Sequence, residues 1–450
     1  MEHASKINLP LWSLLPFAGL LLTIGIMSFF AANYPHGKPA HIWENNRNKL
    51  IIALLWALPV IGLFMKVGHW GPMITSLEEY FSFIVLLFSL FAISGGIFID
   101  GDIQGTPLTN LIVLLIGSVL ANLVGTTGAS MLLIRLFLRI NSERKRTGHL
   151  PIFFIFLVSN IGGCLLPIGD PPLFLGYLKG VPFFWTLKLF PKWIAAIFMI
   201  SVIFYIWDTI CYKHERLADI KRDISIQKPI KIRGKINFLW LFVVLLSVII
   251  LTPNQLKAWG ISHGPLMFLR EYIMLLVTAF SFISSPLHSM TRKKNQFTFA
   301  PILEVTYLFI GIFIAMVPAL EILKAQGSTL GITKIWQFFW ATGTLSSVLD
   351  NAPTYLTFLS LAQGVATDNP GLFSMTGSVL GVPAILLSSI SLGAVFMGAN
   401  TYIGNGPNFM VKAIADEWGY KTPDFFSYIL KYSIPILFPV FALVTVIFFI

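Results

Sequence analysis

Long apolar segments recur along the whole chain and limit what it can fold into. Residues 11–32 (LWSLLPFAGLLLTIGIMSFFAA) and 425–450 (FFSYILKYSIPILFPVFALVTVIFFI) are each long enough to cross about 30 Å of hydrocarbon as a helix. Of the 450 residues, 56% are hydrophobic and only 11% are charged, which no water-soluble domain requires. No small-residue cleavage site follows the first segment, so we expect a retained span rather than a signal peptide. The sequence therefore predicts an all-α, multi-pass membrane protein.

The apolar segments divide into complete spans and interrupted stretches. Two stretches, 109–140 and 335–364, are apolar on both arms but carry polar tips, ANLVGTT (121–127) and DNAPT (350–354). We expect each of these to form a hairpin that enters the membrane and returns. Ten spans are predicted near residues 11–32, 50–66, 80–99, 150–178, 182–211, 237–251, 265–287, 300–320, 378–416 and 425–450.

The formal charge of +11 would suggest a nucleic-acid partner in a soluble protein, but here the excess lies in short loops. Loops rich in Lys and Arg tend to stay cytoplasmic, so we expect these loops inside the cell and both termini outside. We also expect the protein to lie in a bacterial inner membrane, with the lipid bilayer rather than nucleic acid as its partner. A phosphate- or lipid-binding patch is the alternative interpretation of the main basic cluster. That cluster lies in 213–235 and comprises Lys213, Arg216, Lys221, Arg222, Lys228, Lys231, Arg233 and Lys235.

Short motifs of the first half reappear in order in the second half. SVLAN (118–122) returns as SVLDN (347–351), and IGDPPLF (168–174) returns as IGNGPNF (403–409), at offsets of about 230 residues. Five crossings and one hairpin make a half, and an odd number of crossings means that the second half enters from the opposite face. We therefore predict an inverted-topology repeat. Its parts are an N-terminal membrane repeat (1–211), a basic cytoplasmic linker (212–236) and a C-terminal inverted membrane repeat (237–450).

Helix-breaking residues interrupt the span 150–178 at mid-membrane, and others interrupt 378–416 at the matching place. Backbone that is not helical occurs at membrane depth only where it is buried or lines a cavity. Broken helices at corresponding positions of two inverted halves are typical of a transporter's binding site. The breaking residues are Gly162, Gly163, Pro167, Gly169, Pro171 and Pro172 in the first half, and Gly404, Gly406 and Pro407 in the second.

Polar side chains at the breaks and hairpin tips supply hard oxygen ligands of the kind that a small cation takes, while half-helix N-termini could instead attract an anion. Asn and Thr also commonly cap helices, and an acid can be held by backbone N–H groups, so a structural role is the alternative. Because intramembrane acids are costly and mark ion or proton paths, we assign Asp350 first and Asp170 second as ligands of transported Na⁺. The predicted ion- or substrate-binding residues are Asn122, Thr126, Thr127, Ser159, Asn160, Asp170, Asp350, Asn351, Thr354, Asn400, Thr401 and Asn405.

Other kinds of chemistry find little support in the sequence. There is no G-x-x-x-x-G-K-[ST] motif for a nucleotide and no H-E-x-x-H metal motif. We therefore expect no enzyme and no cofactor beyond transported Na⁺ and H⁺, with a two-acid intramembrane protease as the remaining catalytic alternative. Glu304 is interpreted as an acid near a helix N-terminus, and a proton relay is its alternative role.

Several motifs resemble bacterial members of the ion transporter superfamily, especially the NhaD-like sodium/proton antiporters, which are also labelled citrate transporters. The resemblance implies an inverted-repeat fold with two re-entrant hairpins, a moving transport domain against a scaffold, and a homodimer. Relatives that carry dicarboxylates with sodium have an S-N-T motif at both tips, from which this chain departs. The motifs are GTTGASMLLIRLFLR (125–139), SNIGGCLLPIGDPPLFLGYLKGVPFFW (159–185), EVTYLFIGIFIAMVPALE (304–321), LDNAPTYLTF (349–358) and MGANTYIGNGPNFMVKAIA (397–415).

An acid at a hairpin tip favours cation exchange, since Asp350 would repel a substrate carboxylate. Arg135 and Arg139 lie too far from the tips to clamp a carboxylate, and no Lys or Arg lies within the break motifs. We expect a secondary active transporter that exchanges Na⁺ (or Li⁺) for H⁺. The alternative is a sodium- or proton-coupled transporter of citrate or another organic anion.

Overall fold

The computed structural model describes residues 9–33, 37–261, 264–369, 371 and 377–450. Helices dominate throughout. The first half holds α1 (Leu15–Asn33), α2 (Lys38–Glu44), α3 (Asn46–Val67), α4 (Gly71–Ser94), β1 (Phe98–Asp102), α5 (Pro107–Arg139), α6 (Leu150–Leu157), α7 (Pro171–Lys179) and α8 (Phe190–Lys213). The linker holds α9 (Leu217–Ser225) and β2 (Lys228–Arg233).

The second half is also mainly helical. It holds α10 (Ile236–Ile250), α11 (Pro253–Ala258), α12 (Leu269–Ser284), α13 (Met290–Lys294), α14 (Ala300–Ala315), α15 (Val317–Gln326), α16 (Ile335–Val348), α17 (Asn351–Asp368), α18 (Ala384–Met397), α19 (Gly406–Glu417), α20 (Phe425–Tyr428) and α21 (Phe438–Phe448). A π-helix, Ile429–Leu437, joins α20 to α21. Short 3-10 helices occupy Leu11–Leu14, Ile161–Cys164, Phe183–Leu189, Pro265–Phe268, Gly327–Leu330 and Gly398–Asn400.

The fold is a multi-pass membrane protein, as the sequence predicts. Among the described residues, seven helices are long and apolar enough to cross a membrane, and the pair Ala300–Ala315 and Val317–Leu330, bent by 42°, would make an eighth. Shorter apolar helices lie at Leu150–Cys164, Ile236–Ile250 and Ala384–Asn400. The seven are Leu11–Ala31, Asn46–Val67, Gly71–Ser94, Pro107–Arg139, Phe183–Lys213, Pro265–Ser284 and Phe425–Phe448.

The 33-residue helix α5 has the length and composition of a span, but it turns back on itself at Gly125, whose φ of 77° and ψ of 154° are not helical. Asn110 and Asn141 exchange side-chain hydrogen bonds of 2.9 and 2.7 Å across the base of the two arms. In a continuous helix, residues 31 apart would lie about 46 Å from each other. Glycine is required at the turn because an L-residue with a side chain rarely adopts that φ. The first predicted hairpin is therefore present, with its turn inside the predicted tip 121–127.

Helices α16 and α17 form the second hairpin. They are separated only by Leu349 and Asp350 and pack against each other. The turn thus lies at the first residue of the predicted tip 350–354, and the remaining tip residues begin α17.

Three of the connections between helices contact each other. Strands β1 and β2 form a two-stranded antiparallel sheet that joins the loop after α4 to the linker. Lys294 Nζ lies 3.1 Å from Asp100 Oδ2, and the Gly105 N–H donates to Asp223 Oδ2 over 3.0 Å. The lysine also lowers the pKa of the Asp100 carboxyl through its hydrogen bond. These loops are thus held together in the structure, while their side of the membrane stays a prediction.

Two details differ from the sequence-based expectation. The span expected at 80–99 is helix α4, which begins at Gly71 and ends at Ser94, because Pro72 suits the first helical turn and the residues after 97 pair with β2 instead. The small sheet is the one departure from an all-α chain within the described residues. It forms because β2 offers an extended, exposed partner to β1.

The broken helices occupy the interior of the molecule. All residues of α6 are buried, as are most residues of α18 and of the second arm of α5. Apolar helices with no exposed face are typical of the centre of a bundle. This position allows irregular backbone to find partners within the protein instead of facing lipid.

Candidate functional site

Two of the predicted spans are interrupted by non-helical segments, at matching positions of the two halves. In the first half, α6 ends at Leu157 and α7 begins at Pro171. In the second half, α18 ends at Met397 and α19 begins at Gly406. Asp170 and Asn405 are the residues just before the two resuming helices, and both have extended backbone. A following Pro in the first turn accounts for both helix starts, since Pro there loses no helical hydrogen bond.

Glycine pairs bring the backbone into close contact within each break. A Cβ at Gly169 would lie 2.2 Å from the Gly163 carbonyl oxygen, and a Cβ at Gly404 would lie 2.6 Å from the Gly398 carbonyl oxygen. The two pairs are separated by the same 235 residues as the motifs that contain them. No larger residue fits at such a distance, which explains why the breaks are rich in glycine.

Matching serines anchor the hairpins to the breaks. Ser118 Oγ bonds the Leu157 carbonyl at 3.0 Å, and Ser347 Oγ bonds the Met397 carbonyl at 3.0 Å. Each serine also bonds the carbonyl four residues before it in its own hairpin arm. Both anchors thus satisfy the last carbonyl of a broken helix, which would otherwise lack a partner. These equivalent hydrogen bonds support an internal repeat. The inversion of the repeat across the membrane stays a prediction.

The first hairpin tip holds the first break directly. Asn122 donates to the Gly162 carbonyl over 2.7 Å and accepts from the Leu165 N–H over 2.7 Å. The Thr126 N–H donates to the Gly169 carbonyl over 2.8 Å. Side-chain and backbone groups of the tip therefore replace the helical partners that the break removes.

Asp170 is the centre of a polar cluster built from both halves of the chain. Its Oδ1 accepts from Thr126 Oγ1 at 2.7 Å and from Asn405 Nδ2 at 3.1 Å, and its Oδ2 accepts from Asn351 Nδ2 at 2.6 Å. The side chain is 1% exposed and makes no cap bond to its own helix. Three donors from three separate segments thus satisfy one buried carboxylate, which we call the Asp170 cluster together with Thr126, Asn351 and Asn405.

Asn160 extends the Asp170 cluster to the second broken helix. Its Nδ2 donates to Asn408 Oδ1 over 2.6 Å, and its Oδ1 accepts from Asn405 over 3.2 Å. Asn405 also donates to the Ser159 carbonyl over 3.1 Å. Asn408 in turn donates to the Gly398 and Thr401 carbonyls. A continuous hydrogen-bonded network therefore joins the two breaks.

Asn400 and Thr401 contact the second hairpin and do not bond to Asp170. Asn400 Nδ2 donates to Ser347 Oγ over 2.9 Å, and Thr401 Oγ1 donates to the Ser347 carbonyl. Thr401 Oγ1 also accepts from the Gly404 N–H at 3.1 Å. The structure thus gives these two predicted site residues a positioning contact with the second hairpin.

Asp350 has a different environment from Asp170. Its Oδ1 accepts from the Ala352 N–H over 3.0 Å, so it caps the helix α17 that follows it. Thr354 Oγ1 bonds the Asp350 carbonyl at 2.9 Å, one turn along the same helix. Among the described contacts, neither side chain bonds a member of the Asp170 cluster. In the structure the Asp350 carboxylate is thus a helix cap held by one backbone N–H group, while its role as an ion ligand stays a prediction.

Two further predicted residues differ in their surroundings. Thr127 follows Thr126 at the first tip but is only half-buried, and no side-chain hydrogen bond joins it to the Asp170 cluster. Glu304 lies in the second turn of α14, where its carboxylate is 2.6 Å from Lys49 Nζ. The charge of Glu304 is thus compensated by an ion pair with Lys49 and not by the helix N-terminus alone.

Sequence reasoning missed Asn408 and Ser130. Ser130 Oγ lies 2.8 Å from Ser159 Oγ, and Asn408 is completely buried. Asn408 falls inside the repeated motif IGNGPNF, one helical turn after Asn405, which is a signal that could have found it. Ser130 lies four residues after Thr126 on the same arm, and only the fold shows that it faces Ser159.

The Asp170 carboxylate contacts only uncharged side chains within the described part of the chain. The side chains that contact Asp170 are an alcohol and two amides, and none is basic. Asn351 Oδ1 and Asn400 Oδ1 are buried and receive no hydrogen bond from the described part of the chain. Buried carbonyl oxygens without donors are costly, and they are ligands that hard cations prefer. The arrangement can hold a small cation or a proton beside a single carboxylate.

The family of the chain follows from a comparison with known protein families. A search of curated proteins finds no match to this sequence. The family described as "Putative citrate transport" matches residues 6–449, nearly the whole chain. With its apolar spans and paired helix breaks, the chain belongs to this family of membrane transporters.

Proposed function

We propose that the protein exchanges Na⁺ for H⁺ across the bacterial inner membrane, and that Asp170 binds the two ions in turn. The observation that carries this proposal is the buried Asp170 carboxylate, which receives three uncharged donors and touches no basic side chain. An acid buried in a membrane protein is costly and marks an ion or proton path. A bound proton or a bound Na⁺ would each neutralise its charge, which is the chemistry of exchange at one site.

The unpaired amide oxygen of Asn351 supports a hard cation as one of the two ligands. Its nitrogen is engaged by Asp170 Oδ2, which leaves Oδ1 buried without a donor. Na⁺ and Li⁺ both accept carboxylate, amide and hydroxyl oxygens as ligands. Thr126 and Asn351, from the two hairpin tips, would then hold the ion with Asp170, so that loading involves both halves of the chain.

Transport of citrate or another organic anion is the second candidate, because it is what the family description names. Helices α7 and α19 both begin beside the cluster, and helix N-termini attract anions. Against this candidate, the N-terminus of α7 already carries Asp170. A substrate carboxylate there would meet like charge unless sodium or a proton intervened.

The test is flux in proteoliposomes of the purified full-length protein. An imposed Na⁺ gradient should change the internal pH, reported by an entrapped dye, and labelled citrate should not accumulate. Asp170→Asn should abolish the pH change. Asp424→Asn is the matched control, because Asp424 is an exposed cap of α20 whose role Asn can fill.

Opposite results would reject the exchange. Sodium- or proton-dependent citrate uptake without any Na⁺-driven pH change would favour the organic-anion function. Normal Na⁺-driven pH change in Asp170→Asn would remove Asp170 from the mechanism. A homodimer, which the family resemblance implies, can be measured on the same preparation by light scattering.

A further inference from the structure

The linker between the two halves has three acids, and two of them, Glu215 and Asp223, are buried. Glu215 accepts hydrogen bonds from the Lys145 and Arg146 N–H groups over 3.0 and 2.7 Å and is 9% exposed. Asp223, 4% exposed, accepts from the Gly105 N–H over 3.0 Å. Burial raises the pKa of the Asp223 carboxyl. Both acids thus anchor the linker to the loops at the base of the first hairpin and contribute little charge to its outer surface.

The basic side chains of the same linker point outward. Arg222 pairs with Glu143, and Arg233 lies 3.5 Å from Asp100. The remaining six form no salt bridge with a described residue, although Lys228 lies opposite Asp102 on the two-stranded sheet. All eight basic residues are exposed: Lys213, Arg216, Lys221, Arg222, Lys228, Lys231, Arg233 and Lys235.

Apolar side chains are exposed among these charges. On α9, Leu217 is 76% exposed and Ile224 is 52% exposed, and with Ile220 they form one stripe at helical spacing. On β2, Ile230 and Ile232 are 46% and 39% exposed and lie on one face of the strand. Exposed leucine and isoleucine between lysines are typical of a segment that lies in the headgroup region of a membrane.

The ends of the linker fix its distance from the bilayer. It follows α8 directly, whose span Phe183–Lys213 is long enough to cross the membrane, and it leads directly into the apolar helix α10. A segment of about 22 residues tied to two membrane helices stays at the membrane surface, where its basic side chains come within a Debye length of lipid phosphates. Positive charge of this density next to a span is complementary to anionic lipid.

We infer that the linker surface formed by α9 and β2 binds the headgroups of anionic phospholipids, with Leu217, Ile224, Ile230 and Ile232 inserted at the acyl boundary and the unpaired lysines on the phosphates. Lipid binding here is independent of which ion the protein transports. Since Asp223 holds Gly105 and Glu215 holds the loop after the first hairpin, anionic lipid would also fix the base of that hairpin.

Fluorescence of the full-length protein in nanodiscs tests lipid binding. A Leu217→Cys variant in a Cys211→Ser background carries an environment-sensitive fluorophore, while the native Cys164 is buried and stays unlabelled. With phosphatidylglycerol in the disc, the label should shift to the blue and resist quenching by iodide. In phosphatidylcholine alone it should remain accessible. Ala218→Cys is the matched control, since Ala218 is exposed on another face of α9 and should be quenched equally in both discs.

Charge variants test the electrostatic part of the interaction. Each of Lys221→Gln, Lys228→Gln and Lys231→Gln should lower the ratio of lipid-bound to free linker roughly fivefold, the contribution expected of one basic residue at an anionic surface. High salt should act in the same direction. All three lysines are exposed and form no salt bridge with a described acid, although Lys228 lies opposite Asp102, so the variants are expected to fold.

Three outcomes would overturn lipid binding. One is equal iodide quenching of the Leu217 label in anionic and neutral discs. The second is protection of the Ala218 label to the same extent as the Leu217 label. The third is protection in neutral discs by millimolar inorganic phosphate or glycerol phosphate, which would indicate a site for a small soluble anion instead of a lipid surface.

Discussion

Asn351 Nδ2 donates to Asp170 Oδ2 over 2.6 Å, across 181 residues of sequence. This bond joins the second hairpin to the first broken helix, so the carboxylate is shared between the two halves of the chain. The other carboxylate oxygen, Asp170 Oδ1, accepts hydrogen bonds from Thr126 of the first hairpin and Asn405 of the second broken helix. A conformational change that separates the halves must therefore break or exchange bonds at Asp170.

The two acids should respond differently to removal of their charge. Asp170→Asn is expected to reduce Na⁺-driven proton flux at least about 100-fold, because the exchanging charge is lost. Asp350→Asn should keep flux within a few-fold of the parent, because Asn caps a helix about as well as Asp. Flux in proteoliposomes at matched protein density measures both. Normal flux in Asp170→Asn together with lost flux in Asp350→Asn would instead support the order expected from the sequence, in which Asp350 is the first candidate ion ligand.

Neighbouring threonines at the first hairpin tip provide a matched pair. Thr126→Val removes the hydrogen bond to Asp170 while nearly conserving volume, and should weaken the apparent Na⁺ affinity about tenfold, the worth of a charged hydrogen bond. Thr127→Val should leave the affinity unchanged, since no such bond joins Thr127 to the cluster. The Na⁺ dependence of flux gives both values. Equal effects at the two positions would argue against a direct role of Thr126.

The close backbone contact at the first break predicts a strong position dependence for alanine. Gly169→Ala would place Cβ 2.2 Å from the Gly163 carbonyl oxygen and should destabilise the protein by about 1–3 kcal/mol, with loss of transport. Gly406→Ala meets no atom within 4 Å and should have little effect. Thermal unfolding in detergent, followed by flux, compares the two. A fully stable and active Gly169→Ala protein would contradict the geometry of the break.

A buried ion pair holds the base of the first hairpin. Asp208 binds Arg144, Asn110 and His149, and both members of the Arg144–Asp208 pair are buried. Asp208→Asn leaves the buried Arg144 charge without its main partner and should lower the free energy of unfolding by about 3–5 kcal/mol.

The partly exposed pair of Arg222 with Glu143 is the control for Asp208. Arg222→Gln should cost at most about 1 kcal/mol, because water screens this pair. The change in melting temperature of each purified variant is the measurement. Equal melting temperatures for Asp208→Asn and the parent protein would show that Asp208 contributes no net stability.

Membrane orientation can be measured directly. The basic loops predict that the linker 213–235 is cytoplasmic and that both termini lie outside. A periplasm-active reporter fused at the C-terminus should be active, and a cysteine label in the linker should react only after the cytoplasmic side is opened. A C-terminal reporter active only in the cytoplasm would reverse the orientation.

The sequence by itself determined the apolar spans, the two hairpins and the two broken helices. Each of these features follows from local chemistry, because lipid requires about 20 apolar residues per span and clusters of glycine and proline disfavour a continuous helix. The turn at Gly125 and the start of α7 after Asp170 were predictable for this reason.

Only the tertiary structure decided the roles of the polar residues. Asp170 and Asp350 both precede helices and look alike in sequence, yet one carboxylate caps its own helix and the other turns away to meet Thr126, Asn351 and Asn405. Whether such a carboxylate caps its own helix or bonds to other segments depends on donors from parts of the chain up to 235 residues away. Local propensity carries no information about such partners, because the packing of the two halves brings them together.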